Sequence, residues 1–200
     1  MRWVGWTLET DSVLQLLLHA NQLKRIPRTG WMMRGVADVE SVSDHTFGVA
    51  FVSLVLAQLM DRSIDTAKLL SMALLHDLPE AVLSDIPSPA LRHMPLGVKR
   101  TAEEEVLKAL VEELPQRERW QAWWRELEER GSVEAKIVHD ADRIEMLIQA
   151  FVYQQTTGNR WLEEFWAETT PGAFELEVSR SVFEALCDAR GRSGERRELD

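Results

Sequence analysis

Cysteine is nearly absent from this 200-residue chain: Cys187 stands alone. One thiol excludes an internal disulfide framework and a cysteine-built zinc site, and it fits a reducing compartment. Basic charge is also scarce, with 23 Lys and Arg against 33 Asp and Glu, a formal net charge of −10 and a pI near 5.1. Such a surface does not favour nucleic-acid polymers or anionic membranes, although a small anionic substrate remains compatible with it. No apolar run approaches the roughly eighteen residues of a membrane span. The opening Met1-Arg2-Trp3-Val4-Gly5-Trp6 leads into Glu9 and Asp11 instead of the uninterrupted apolar stretch of a secretory signal. There is no repeat of 20–50 residues, no low-complexity tract and no series of alternating strands. The expectation is a cytoplasmic, all-α protein. Its 45% apolar content is enough for one core.

What is present is helical spacing. Val13, Leu14, Leu16, Leu17 and Leu18 predict a first helix over 11–23, with Thr10 or Asp11 as N-cap. Ser41 and Ser43 are available as caps before a long apolar run from 47 to 60, which places His45 in a first turn. Asp65 caps a helix over 66–78 that is apolar around much of its circumference. Pro79 disfavours helix at Leu78 but suits the first turn of a new one, predicting a kink and one more turn to Leu83. Further helices are predicted over 97–114, 117–130, 132–156, 159–168 and 174–189. Residues 1–190 are then one domain, and the charged stretch 191–200 a disordered tail.

Polar residues at the wrong places mark the chemistry. His76, Asp77 and Glu80 end an apolar helix, and their separations of four and three put them on one side if the helical path persists through Pro79. A neighbouring His-Asp offers nitrogen and oxygen to a borderline metal, with a third carboxylate near enough to handle protons. Two ligands do not hold a catalytic ion, and the equally anomalous residues elsewhere are His45 and Asp142. An aspartate inside a helix belongs at the surface or beside a strong partner. Asp140, two positions before Asp142, points away from it; His139 and Asp140 read as surface residues, with a supporting role beside the ion as the alternative for His139. Between Ser12 and Ala37 there is no acid, while Lys24, Arg25, Arg28 and Arg34 give a local charge of +4. That stretch is a solvated loop or a phosphate-attracting one.

The order His45, His76-Asp77, Asp142 resembles the HD-domain phosphohydrolases, all-α helical bundles. Together with Arg28-Thr29-Gly30-Trp31, Glu40-Ser41-Val42-Ser43-Asp44-His45, His76-Asp77-Leu78-Pro79-Glu80, Asp85-Ile86-Pro87-Ser88 and Ala141-Asp142, it is similar to the branch comprising the 5'-deoxynucleotidases and HD-domain-containing protein 2. The likeness runs from about Val13 to near Thr170. It implies that His45, His76, Asp77 and Asp142 hold one divalent ion (Mn, Co, Fe, Ni or Zn) and that Glu80 is the acid/base residue. It also implies that Trp31 lies beside the sugar, and that Asp85, Ile86, Pro87 and Ser88 contact substrate. The related bacterial enzymes carry a phosphate-orienting arginine immediately before the tryptophan. Here that position is Gly30, so the role passes to Arg28 or Arg34, or phosphate recognition differs.

The implied reaction removes the 5'-phosphate from deoxyribonucleoside monophosphates. Rival readings are an HD phosphohydrolase for a triphosphate, cyclic nucleotide or alarmone, and a metal- and nucleotide-binding sensor without turnover, against which Glu80 weighs. Eight tryptophans, several within 120–124 and 161–166, point to a surface needing a partner, and a homodimer is the expected assembly.

Overall fold

Eleven α-helices succeed one another across residues 10–197, the span that the computed structural model describes. They are α1 (Thr10–Gln22), α2 (Thr29–Met32), α3 (Val42–Gln58), α4 (Thr66–Leu75), α5 (Glu80–Leu83), α6 (Ser88–Leu91), α7 (Val98–Val111), α8 (Arg117–Glu128), α9 (Val133–Thr157), α10 (Glu163–Ala167) and α11 (Glu177–Arg197). Among the described residues there is no strand, only an isolated antiparallel bridge between Pro27 and Ser41. No described helix is long and apolar enough to cross a membrane.

The main helices start where local chemistry tells them to. Ser41 accepts from the Asp44 amide while the Asp44 carboxylate accepts from the Ser41 amide, a reciprocal capping box that fixes the first turn of α3. Asp65 caps α4 through the Lys68 amide, and Ser132 caps α9 through the Ala135 amide. Helix α9 stops at Gly158, whose φ of 67° is left-handed and suits glycine.

Helices α3, α4 and α9 pack side by side and supply the principal core, which includes Val49, Leu56, Leu69, Met72, Ile137, Ala141, Ile144 and Leu147. Burying each of the larger side chains contributes roughly 1.5–3 kcal/mol before ordering costs. A second cluster, among it Leu16, Leu23, Leu75, Leu78, Leu107 and Trp124, fixes α1, α7 and α8 against the end of α4. Both clusters therefore converge on the point where α4 gives way to His76.

Several expectations need correction. Thr10 lies inside α1 rather than before it, and the opening Met1–Trp6 stretch lies outside the described residues. Residues 29–32, read as loop, form the single turn α2. Helix α4 ends at Leu75, three residues earlier than expected, because Pro79 has no N–H to bond the Leu75 carbonyl, which instead accepts from the Leu78 amide at 3.2 Å. Helix α11 runs to Arg197, past the expected stop near 189. Glycine costs only about 1 kcal/mol in a helix, so Gly191 does not end it. Positions 198–200 of the expected tail lie outside the described residues.

Asp140, expected at the surface, is buried, because its two oxygens accept from the amides of Glu175 and Leu176, both at 3.0 Å, just ahead of α11. His139 is half-buried and bonds the Leu127 carbonyl at 2.8 Å, with no link to the site below. Of the tryptophans expected to mark a partner surface, Trp124 and Trp166 are core residues, whereas Trp161 is exposed.

Candidate active site

Three helices deliver the anomalous polar residues to one place. His45 comes from the capped first turn of α3 and is fully buried. His76 caps the C-terminus of α4, Asp77 follows in the turn, and Asp142 projects from the middle of α9. The donor atoms of His45, His76 and Asp142 lie within 4.8 Å of one another. His45 Nε2 is 3.1 Å from Asp142 Oδ1 and 3.7 Å from Asp77 Oδ2, and His76 Nε2 is 3.1 Å from the same Asp77 oxygen. The side chain of Asp142 is 44% exposed, which reflects its place on the wall of an open cleft.

The hydrogen bonds around the two rings decide which nitrogen faces the cluster. His76 Nδ1 lies 2.6 Å from the Ala73 carbonyl, which only accepts, so Nδ1 carries the proton. His45 Nδ1 is bound in the same sense by Glu145 Oε2 at 2.5 Å. Both Nε2 atoms are buried without a hydrogen-bond partner, since the nearby carboxylates sit at ion-pair distance without hydrogen-bond alignment.

Electrostatics make the same point. Burial and Arg28 disfavour a charged His45, yet Asp142 and Glu145 outweigh them and push its pKa up to about 10. Burial likewise opposes charge on His76, but Asp77 raises it. Burial works against the charge of Asp77 and of Asp142, but His76 and Arg28 hold the first, and His45 the second, well below the usual carboxylate range. The acidic pair thus draws positive charge to this spot, as protons or as a cation. Two imidazole Nε2 atoms free to offer their lone pairs, flanked by two carboxylates, suit a borderline divalent ion.

Glu80 stands next to the cluster, in the turn that begins α5, and is 1% exposed. Its Oε2 has no hydrogen-bond partner, and its Oε1 lies 3.8 Å from Lys99 Nζ. Burial raises its pKa first, with Asp77 and Asp85 adding to the effect. A cleft of about 260 Å³ opens above these groups, and its walls include Arg28, Trp31, Ile86, Pro87, Ser88, Lys99 and Asp142.

Of the two candidate arginines, only Arg28 reaches this cleft. Its Nη1 is 3.4 Å from Asp77 Oδ2, and although burial opposes its charge, Asp77, Asp142 and Asp85 hold it protonated. Arg34 turns away, pairing with Glu164 at 2.9 Å and lying over the Phe165 ring. Asp85 lines the cleft, but its Oδ2 is committed to the Thr29 amide at 2.6 Å and the Thr29 hydroxyl at 2.9 Å. Trp31 is largely a core residue at 2% exposure. Its indole N–H donates to Glu40 Oε1 at 2.7 Å, and its ring packs on Phe165 and Tyr153.

Two residues escaped sequence reasoning. Lys99 enters from the first turn of α7 and is also paired with Glu103 at 3.2 Å, and Glu145 bonds His45. An i, i+4 Lys-Glu pair in the first turn of a charged helix was the only signal for Lys99, and it is a common surface feature. Glu145, three residues after Asp142, shares a helix side with it, and that was the available clue.

Comparisons with known proteins identify the family of the chain. Residues 20–173 match the profile of a family described as HD domain. The chain is 35% identical over 183 residues to human 5'-deoxynucleotidase HDDC2, covering 86% of this chain and 87% of that protein. It is 37% identical to the bovine protein of the same name, at 86% and 87% coverage. Among solved structures, the PH0347 protein of Pyrococcus horikoshii superimposes with a TM-score of 0.73 at 36% identity, covering 90% of this chain and 99% of that one. A predicted metal-dependent phosphohydrolase of Magnetospirillum magnetotacticum shares the fold at 21% identity and a TM-score of 0.66, covering 92% and 94%. With its profile match spanning most of the chain and its relatives matched over nearly their whole length, this protein belongs to the HD-domain family.

Proposed function

We infer that this chain is a 5'-deoxynucleotidase, a hydrolase that converts a deoxyribonucleoside 5'-monophosphate and water into a deoxynucleoside and phosphate. One observation carries the reading. Glu80 Oε2 is buried without a hydrogen-bond partner beside a set of residues able to hold a divalent ion, in a cleft also lined by the cationic side chains of Arg28 and Lys99. The substrate class comes from relatives named 5'-deoxynucleotidase.

In this reading His45, His76, Asp77 and Asp142 hold one ion, of manganese, cobalt, iron, nickel or zinc. When bound, such an ion acidifies water and draws electron density from a phosphoryl oxygen. Arg28 and Lys99 neutralise the charge of the phosphate oxygens and align the phosphorus. Glu80 takes a proton from the attacking water, the bond between phosphorus and the 5'-oxygen breaks, and Glu80 returns the proton to that oxygen. Ile86, Pro87 and Ser88 form one wall of the nucleoside end, and an edge of Trp31 closes the sugar side. An added 2'-hydroxyl would meet that wall or be buried unpaired, a difference of roughly 1–3 kcal/mol.

The expected result is kcat/KM about ten- to a hundredfold higher for dAMP than for AMP, and for dCMP than for CMP. Trp31→Phe, which keeps an aromatic plug but shortens the wall, should narrow both ratios. An outright preference for ribonucleotides would overturn the deoxynucleotide assignment. Faster release of phosphate from nucleoside triphosphates would favour the rival substrate class.

We also propose a cytoplasmic homodimer. No charged side chain occurs from Thr46 to Met60, so α3 is apolar on its outer side as well, where Phe47, Phe51 and Val55 are exposed at helical spacing. A helix apolar all round calls for cover on both sides, and a two-fold axis beside α3 would set this stripe against its own copy. Light scattering should give twice the chain mass for the wild type and a shift toward the chain mass for Phe47→Ser/Phe51→Ser. A wild type that stays monomeric at tens of micromolar removes this part of the reading.

A further inference from the structure

We propose that Glu145 and Gly48 form one positioning device, in which the glycine makes the seat from which Glu145 sets the tautomer and orientation of His45. This rests on the metal-centre reading above. Glu145 Oε2 accepts from His45 Nδ1 at 2.5 Å, and both side chains are buried, so the bond is shielded from competing water. A neutral imidazole offers a lone pair at Nε2 only while Nδ1 holds the proton, and an acidic acceptor at Nδ1 fixes that state. Without it the proton is able to reside on Nε2, where it would block ligation.

Gly48 has no other evident reason to be where it is. It lies inside α3 without a left-handed backbone, and glycine is among the weakest helix formers. A Cβ built there would stand 2.7 Å from Glu145 Cγ, 2.7 Å from Glu145 Oε1 and 3.0 Å from Glu145 Cδ. Contacts that short do not occur, so any side chain at 48 must push the carboxylate arm off its line to His45. Glu145 cannot give way freely, because Glu40 occupies the neighbouring space, with donors on Glu40, His45 and Glu145 all within 4.8 Å. Two residues of different helices are thus matched in shape for a bond made by a third.

The test is a double-substitution cycle on the full chain, stripped of metal, with Co²⁺ affinity measured by chelator competition and helical content and melting by circular dichroism. Glu145→Ala should weaken Co²⁺ binding about 10–100-fold, and Glu145→Gln, which keeps an acceptor, by clearly less. Gly48→Ala should weaken it about as much as Glu145→Ala, although helix propensity alone predicts a more stable protein. Combined with Glu145→Ala it should add nothing, since the arm it displaces is gone.

Wild-type affinity in folded Glu145→Ala overturns the proposal, as does Gly48→Ala adding its full effect in the double variant. If Gly48→Ala does not fold, the order wild type, Glu145→Gln, Glu145→Ala decides alone, and equal affinities overturn the proposal. Failure of the wild type to bind Co²⁺ would instead strike the metal-centre reading itself.

Discussion

Replacing Glu80 by glutamine is expected to lower kcat for dAMP by about 10²–10⁴-fold while leaving the metal content of the purified protein near that of the wild type. The substitution keeps shape and volume and removes only the ability to take up and return a proton. Burial first, then Asp77 and Asp85, raise the pKa of Glu80 to about 9 against the opposing pull of Lys99 at 3.8 Å, so the side chain holds its proton tightly; a cation held by the neighbouring carboxylates would offset their charge and favour the ionised form of Glu80, which accepts a proton from water. Its Oε2 meets no hydrogen-bond donor of the protein, which leaves it for water or substrate. Metal analysis and steady-state kinetics on one preparation are sufficient. Loss of the ion in parallel with activity would make Glu80 a ligand or a prop and end its role in proton transfer.

The second large effect is expected on the ion itself. Asp142→Ala should weaken binding by about 100-fold or more, beyond the range typical of outer partners, with activity falling accordingly. The reason lies in the geometry: Asp142 is the ligand that α9 contributes in this reading, and its Oδ1 is 3.1 Å from His45 Nε2. Asp77→Ala should lose the ion too, but with a further consequence, because Asp77 also holds Arg28 at 3.4 Å. Excess metal should therefore restore kcat/KM more completely in Asp142→Ala than in Asp77→Ala. An Asp142→Ala protein that retains its ion at wild-type affinity would show that Asp142 is not a ligand.

The starts of α3, α4 and α9 were legible because Ser41, Asp65 and Ser132 act on amides three residues away, within reach of any local reading. The anomalous His45, His76-Asp77 and Asp142 were legible for a related reason: each interrupts an apolar helix that has no use for it. Asp140 was not. Its spacing correctly turned it away from Asp142, but nothing near it in sequence announces that amides 35 and 36 positions later would bury it. Lys99 and Glu145 were hidden in the same way, since their meaning lies in Glu80 and His45 on other helices. Arg34 shows the converse failure, in which charge and proximity to Trp31 looked equal to those of Arg28 until the fold paired it with Glu164.

The bond between Asp85 and Thr29 bears on the entropy of binding. The two short segments that form the cleft mouth, Arg28 to Trp31 and Asp85 to Ser88, are far apart in sequence, yet a single carboxylate grips both the amide and the hydroxyl of Thr29. Neither rim swings without the other. The conformational freedom that a loose pair of loops would surrender to each arriving nucleotide has been surrendered at folding, so more of the contact energy is left for affinity. The cleft between the two tied segments stands open to solvent.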